Sequence, residues 1–192
     1  MYKKMLQFVG AASFLLFVLV LSPTALAGSN SPPPVAPLGF EIGHATRAAV
    51  LAGLRGKTNV KPDGTNLYSN GPMLVADGEG LGIEGLQQVR FIFDKSDRLV
   101  AMQFRVDKDF ESGFDRVYKR LAAKYPLVSQ SIPFVGDKMA RFESGNAVIL
   151  LIAPHMSFVM TVTYMTRDFE KTFQAMRHAN AVKKAKREES EF

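Results

Sequence analysis

Apolar side chains recur at every second position in two neighbouring stretches near the middle of the chain. Residues 86–93 carry Val89, Phe91 and Phe93 in this pattern, and residues 99–106 repeat it. Such alternation predicts strands with one buried face, and the polar residues 94–97 between them predict a turn. We therefore expect a β-hairpin here. The residues expected on the buried face of its second strand are Val100, Met102, Phe104 and Val106.

Four other stretches have the composition of strands. Residues 73–76 are a short apolar segment, and residues 157–166 alternate apolar side chains with threonines. Residues 138–143 and 147–153 are separated by Ser-Gly-Asn, which predicts a second hairpin. Because residues 147–153 are apolar throughout, we expect them to form an interior strand of the sheet. Residues 57–71 are rich in glycine, asparagine and proline-containing turns and predict irregular structure.

A one-sided apolar stripe marks residues 110–125 as the clearest helix. Pro126 ends it, and Asp107 or Asp109 is expected to cap it. The residues of the stripe are Phe110, Phe114, Val117, Tyr118, Leu121 and Tyr125. Residues 46–54 predict a short helix capped by Thr46, and residues 169–188 predict a final helix.

Together these elements predict an α+β fold. We expect an antiparallel sheet packed against helices on one face. A helix followed by strands occurs in residues 38–106 and again in residues 107–166, so the domain could consist of two degenerate helix–strand–strand–strand repeats.

Residues 1–27 have the features of a secretory signal peptide. Two lysines precede the apolar residues 8–21, and small residues at positions 25 and 27 form a cleavage signal before Gly28. The apolar run is short for a transmembrane anchor. We therefore expect a soluble periplasmic or secreted protein. A Pro/Ser-rich linker at residues 28–37 and a single domain at residues 38–176 would follow the signal.

Charge and cysteine content narrow the functions and partners. The chain has 192 residues, 24 Lys+Arg against 18 Asp+Glu, a formal charge of +6 and no cysteine. Without cysteine there is no disulfide scaffold, thiol nucleophile or lipid-bearing thiol. Much of the positive charge lies in the predicted signal and in a charged helix end at residues 177–192, which could contact a membrane surface weakly. Export argues against a nucleic-acid partner.

A glycine-rich loop at residues 77–85 has the spacing Gly80-x-Gly82-x-x-Gly85 of a dinucleotide fingerprint. That fingerprint needs a helix after the glycines, whereas residues 86–93 predict a strand, so we expect no cofactor. The acidic residues of the loop are Asp77, Glu79 and Glu84. They are candidate binding residues but lack the spacing of an EF-hand, and we expect no metal site.

Four polar side chains fall on the strand faces opposite the apolar stripes and are candidates for binding a partner. They are Arg90, Gln103, Arg105 and Arg141. Arginine binds carboxylates with paired hydrogen bonds, so such a face could recognise an acidic ligand or a protein; ordinary solvent-facing polarity is the alternative. We identify no catalytic residues, because the three histidines are far apart in sequence and no G-x-S-x-G motif is present.

Residues 39–46 place a glycine before a threonine-capped helix, and Phe91-Ile92-Phe93-Asp94 with Leu99 forms a hairpin motif. The pattern resembles the SmpA/OmlA outer-membrane-assembly lipoproteins and the repeated domains of β-lactamase-inhibitor proteins. It covers about residues 38–106, with a fainter echo in residues 107–166. The resemblance implies a non-catalytic, protein-binding scaffold and assigns no functional residues. The lipid-bearing cysteine of those lipoproteins is absent here.

These observations favour an exported, non-catalytic binding or accessory protein of the bacterial envelope, acting through protein or ligand contacts. We expect a protein partner in the cell envelope. Two alternatives stay open: an inhibitor of a secreted or periplasmic enzyme, and a hydrolase whose site cannot be recognised from sequence.

Overall fold

The computed structural model describes residues 33–108 and 112–191, all within one compact unit, Ser31–Phe192. The predicted signal peptide at residues 1–27 lies outside the described residues. In chain order the elements are α1 (Arg47–Leu54), β1 (Val60–Thr65), β2 (Asn70–Asp77), β3 (Leu86–Asp94), β4 (Leu99–Asp107), α2 (Ser112–Ala122), β5 (Leu127–Ser131), β6 (Lys138–Ser144), β7 (Ala147–Ala153), β8 (Val159–Thr166) and α3 (Arg167–Glu191). No helix of this described part is long and apolar enough to span a bilayer.

All eight described strands belong to one antiparallel sheet with the order β1-β2-β3-β4-β8-β7-β6-β5. Each half of the chain is a helix followed by a four-stranded meander, and the two meanders join where β4 pairs with β8. The sheet therefore has an approximate two-fold relation about the β4–β8 junction. The α+β prediction is confirmed. Each half contains one strand more than the predicted helix–strand–strand–strand unit.

One face of the sheet, the helical face, carries the main core. Its side chains come from alternate positions of β2 to β4 and β6 to β8, as the two-residue period requires. Val50 and Leu54 of α1 and Phe114 and Leu121 of α2 are buried in this same cluster. Both short helices therefore contribute to the core on the helical face.

The opposite face, the groove face, carries a smaller cluster to which α3 contributes. Phe169 of α3 is buried with Ile92, Ala101, Val148 and Met165. Ile92 lies between Phe91 and Phe93, which belong to the helical-face core, so this cluster is on the other side of the sheet. α3 therefore contributes to the groove-face cluster, whereas buried residues of α1 and α2 belong to the helical-face cluster.

The hairpin β3–β4 contains an irregularity that changes which side chains share a face. Ile92 pairs with Ala101 whereas Phe93 pairs with Leu99, so the register shifts by one residue at Val100. Leu99 is consequently fully buried in the helical-face core, and Val100 packs against the groove-face cluster. The prediction of Val100 on the same face as Met102 is therefore wrong, because a β-bulge breaks the alternation.

The N-terminal part of the described chain packs against the domain. Val35 and Pro37, within the segment predicted as a linker, are buried, and the amide of Ile42 donates to the carbonyl of Val35 at 3.0 Å. Thr46 then caps α1 by accepting a hydrogen bond from the amide of Ala49 at 3.2 Å. The predicted cap of the 46–54 helix is confirmed.

Candidate functional site

A groove on the groove face combines an apolar wall with a row of polar side chains. Its floor follows one cross-strand row in which Arg90 pairs with Gln103, Gln103 with Thr163, and Thr163 with Leu150. The row therefore runs across β3, β4, β8 and β7 at one level of the sheet. Adjacent strands lie about 4.8 Å apart, so these neighbouring side chains can contact one ligand together.

One wall of the groove is the first part of α3. Tyr68, in the turn between β1 and β2, meets Phe173 edge-on with ring centroids 4.8 Å apart and Phe169 at 6.4 Å. These T-shaped contacts hold the turn against the helix. The wall is thus built from two segments far apart in sequence.

The turn that presents Tyr68 is fixed by its own hydrogen bonds. The side-chain oxygen of Asn66 accepts from the amides of Tyr68 at 2.9 Å and Ser69 at 3.0 Å, and Asn66 is buried. The hydroxyl of Ser69 donates to the carbonyl of Phe93 at 2.7 Å and so ties the turn to β3. Asparagine at this position replaces backbone partners that a short turn lacks. These hydrogen bonds therefore hold Tyr68 in its position beside α3.

The groove has a volume of about 600 Å³. This size falls within the range of small-molecule sites, which are mainly apolar with few polar groups. The apolar lining includes Met73, Ile92, Leu150, Ile152, Met165 and Phe173. At the rim, the side chain of Leu67 is 74% exposed. A ligand with an apolar body would cover the part of this lining that is still exposed.

Several polar groups in the groove are open to a ligand. Gln103, Thr161 and Thr163 line it, and their side chains make no hydrogen bond to any residue that the structure describes. Arg90 is instead paired with Asp63 of β1. Arg177 of α3 lies over the ring of Phe173, 5.5 Å from its centroid, and has no ion pair within residues 33–108 and 112–191. The groove thus offers an amide, two hydroxyls and one uncompensated guanidinium.

Arg141 of β6 sits beside the groove and holds α3 against the sheet. Its guanidinium bonds both carboxylate oxygens of Glu170 on α3 and also Oε1 of Glu143, at 2.7 Å from Nη2. Arg167 pairs with the other oxygen of Glu143 at 2.7 Å. The hydrogen bond with Glu170 raises the pKa of Arg141, and the hydrogen bond from Arg141 holds the pKa of Glu143 below its usual range. The network therefore fixes the start of α3, and with it the wall of the groove.

A second, smaller cavity of about 410 Å³ adjoins the first across Tyr68 and Phe169. Its lining includes Asp94, Arg98 and Asp168. The carboxylate of Asp94 already accepts hydrogen bonds from the backbone amides of Ser96 and Arg98, at 2.8 and 2.9 Å. These bonds shape the β3–β4 turn, and the lining of this cavity has less apolar surface than that of the groove.

The four polar strand residues that the sequence suggested as binding residues have different positions and contacts in the structure. Arg90 and Gln103 both line the groove. Arg105 is exposed on the same face, one row away, where it pairs with Thr161 in the register. Arg141 is engaged with its two glutamates and positions α3.

The three acidic loop candidates lie away from the groove. Asp77 accepts from the side-chain amide of Asn59 at 3.2 Å, Glu84 pairs with Arg116 at 3.3 Å, and Glu79 is exposed. Among the described residues, no three His, Cys, Asp or Glu side chains gather as a metal site would require. The loop leads into β3, so the Gly80-x-Gly82-x-x-Gly85 spacing is followed by a strand, as the sequence predicts.

Sequence reasoning missed most of the groove. Phe169 and Phe173 stand out as a helical stripe, but the stripe gives no indication of which sheet face it covers. Tyr68 lies in a segment that predicts only turns, and Arg177 appears as the beginning of a charged tail. The sequence did contain one indication of the groove, because Arg90 and Gln103 lie on the strand faces opposite the apolar positions of a hairpin.

Comparisons with known proteins add little to this description of the groove. No family model matches the chain, and no curated protein matches it. Among solved structures, the chain is similar to a DUF4309 family protein, YjgB, from Bacillus subtilis, with 10% sequence identity and a TM-score of 0.37. The match covers 71% of this chain and 88% of that chain. A likeness of this size carries no argument about function, and the resemblance to assembly lipoproteins and inhibitor domains stays a prediction.

Proposed function

We propose that this protein is an exported, non-catalytic binding protein of the bacterial envelope whose groove takes an amphiphilic ligand. The ligand would have an elongated apolar body and an anionic or hydrogen-bond-accepting end, as a long-chain carboxylate has. The observation that carries the proposal is the set of open polar side chains, Gln103, Thr161 and Thr163, within a mainly apolar groove of about 600 Å³.

The chemistry of the lining supports this ligand class. The partly exposed side chains of Met73, Leu150 and Ile152 supply apolar surface, whose burial contributes roughly 25 cal/mol per Å². Arg177 supplies a positive charge that has no described carboxylate partner. An anionic head near Arg177 with its chain along the floor would satisfy both parts of the groove. The described lining contains no histidine or carboxylate, which favours binding over general acid–base chemistry in our proposal.

The experiment is a binding titration with dodecanoate and dodecanol, which share an apolar chain but differ in the charge of the head. We expect dodecanoate to bind more tightly to the full chain, by about 10-fold, which corresponds to 1.4 kcal/mol. Arg177→Ala should remove that preference and leave dodecanol binding unchanged. Calorimetry or displacement of an anionic apolar dye would measure both affinities.

Arg105→Ala is the matched control, because Arg105 is exposed on the same face outside the groove. It should leave the affinity for both ligands unaltered. If neither ligand binds, or if Arg105→Ala and Arg177→Ala have equal effects, the groove proposal fails. Capture of an envelope protein that Thr163→Arg abolishes would instead assign the groove to a protein partner.

The mass of the protein recovered from exporting cells tests cleavage before Gly28.

A further inference from the structure

One edge of the sheet is formed by an exposed strand. β5 (Leu127–Ser131) is the last of the described strands, and among them it pairs with β6 alone. All five of its residues are exposed. An edge strand has a row of backbone donors and acceptors without partners in the sheet, and another strand can pair with it.

The other edge of the sheet contrasts with it. β1 (Val60–Thr65) contains Lys61, Pro62 and Asp63, and its register with β2 shifts between Pro62 and Thr65. Proline removes a backbone donor, charges oppose strand addition, and an irregular register bends the edge. β1 therefore has a proline and charged side chains that block pairing, whereas β5 has neither, although its own register with β6 also shifts between Leu127 and Ser129. The difference indicates that the β5 edge has a partner.

The sequence around β5 carries no charge from residue 126 to residue 136. Several of its apolar side chains are exposed, including Leu127 at 41%, Val128 at 54% and Ile132 at 40%. The segment Val128-Ser129-Gln130-Ser131-Ile132 is also nearly symmetric about Gln130. Such a segment is complementary to a second copy of itself in the antiparallel direction.

We propose that β5 pairs with β5 of a second copy of this chain, antiparallel and centred on Gln130. A two-fold axis at Gln130 places Ser129 opposite the partner's Ser131 and Val128 opposite the partner's Ile132. Cross-strand pairs then match small polar with small polar and β-branched with β-branched residues. One sheet continues through both copies.

The charges that flank the segment set this direction. Lys124 precedes it and Asp137 follows it, and both residues are exposed. Antiparallel pairing brings Lys124 towards the partner's Asp137, whereas parallel pairing would bring like charges together. The hydroxyl of Tyr118 donates to Oε1 of Gln130 at 2.6 Å and orients that side chain, which leaves its Nε2 for the partner's Gln130.

The test is the mass of the full chain in solution across concentration, with paired charge variants. Ser129→Lys/Ser131→Lys and Ser129→Glu/Ser131→Glu each place like charges opposite one another. We expect the unaltered chain to reach the dimer mass by sedimentation and each double variant to stay monomeric. An equimolar mixture of the two double variants should recover the dimer, because lysines then face glutamates.

Lys61→Glu, on the opposite edge of the sheet, is the control and should dimerise as the unaltered chain does. Circular dichroism would check the fold of each variant. Amide hydrogen exchange of the unaltered chain supplies an independent measurement, since protection of β5 should rise with concentration. A chain that stays monomeric up to about 1 mM overturns the proposal. A dimer that neither double variant disrupts, or a mixture that stays monomeric, overturns it as well.

Discussion

Arg141 shows how one side chain can support a site without touching a ligand. Its guanidinium joins β6 to α3 through Glu143 and Glu170, and all three side chains are at most 25% exposed. A bidentate arginine–carboxylate pair fixes geometry as well as contributing free energy, so lysine could not replace it. The sequence placed Arg141 on the correct sheet face, but its carboxylate partner Glu170 comes from a distant helix. The local sequence was enough to predict the sheet face on which Arg141 lies. It was not enough to predict that Arg141 pairs with Glu170.

We predict that the carboxylate of Glu143 makes the stability of the fold depend on pH. Its folded pKa lies below the ordinary value of 4.5, so its carboxylate stabilises the fold above that pH, and the contribution is lost as the pH falls through the folded pKa. Glu143→Gln should therefore lower the free energy of unfolding at pH 7 by about 1.5–3 kcal/mol. The difference from the unaltered chain should shrink below pH 4.5.

Urea unfolding between pH 3 and pH 7 would measure this difference at each pH. Glu79→Gln is the control, because Glu79 is exposed in the 78–85 loop and should leave stability unchanged. A constant difference between the Glu143 variant and the unaltered chain across the whole pH range would contradict the assignment.

Among the elements, the strands that the sequence predicts are those with a buried face. β3, β4, β7 and β8 follow apolar alternation or a continuous apolar run, and the structure confirms them. β1 and β5 were missed, and both are edge strands. A strand that buries little apolar surface has no reason to alternate, and its hydrogen bonds to a neighbour leave no mark on its own sequence.

The described contacts that hold helix α3 (Arg167–Glu191) on the sheet lie in its first turns, and we predict that Phe169 contributes most to them. Phe169 is 9% exposed, whereas Met176 is 37% exposed. Phe169→Ala should cost about 3 kcal/mol of stability and expose the α3 amides near the groove to hydrogen exchange. Met176→Ala is the matched control and should change stability by less than about 1 kcal/mol.

Loss of protection that extends equally to β3 and β7 in the Phe169 variant would show that α3 is not a separately opening element. Equal costs for Phe169→Ala and Met176→Ala would show that the groove-face cluster contributes little. Because Phe169 also lines the groove, the same variant should weaken dodecanoate binding if the proposed function is correct.

For the whole molecule, the question is whether the two meanders are separate folding units. They meet along β4 and β8, which pair over seven consecutive positions from Ala101↔Met165 to Asp107↔Val159. Met102, fully buried, lies at this junction beside Tyr164, and the helical-face cluster continues from β2 across the junction to β6. The core is therefore shared, although the order of elements repeats. Local periodicity predicted the repeat but could not show the shared core, which depends on long-range pairing.

We predict that the two meanders unfold as one cooperative unit. Met102→Ala leaves a cavity at the junction and should cost about 2–5 kcal/mol. The slowest-exchanging amides of β2–β3 and of β6–β7 report the two halves separately by hydrogen exchange in dilute denaturant. Because opening either half would expose the core of the other, both sets should lose the same free energy of protection in the variant. If only the β2–β3 amides lose protection, each helix-and-meander half is stable by itself, and the junction is an interface between two small folding units.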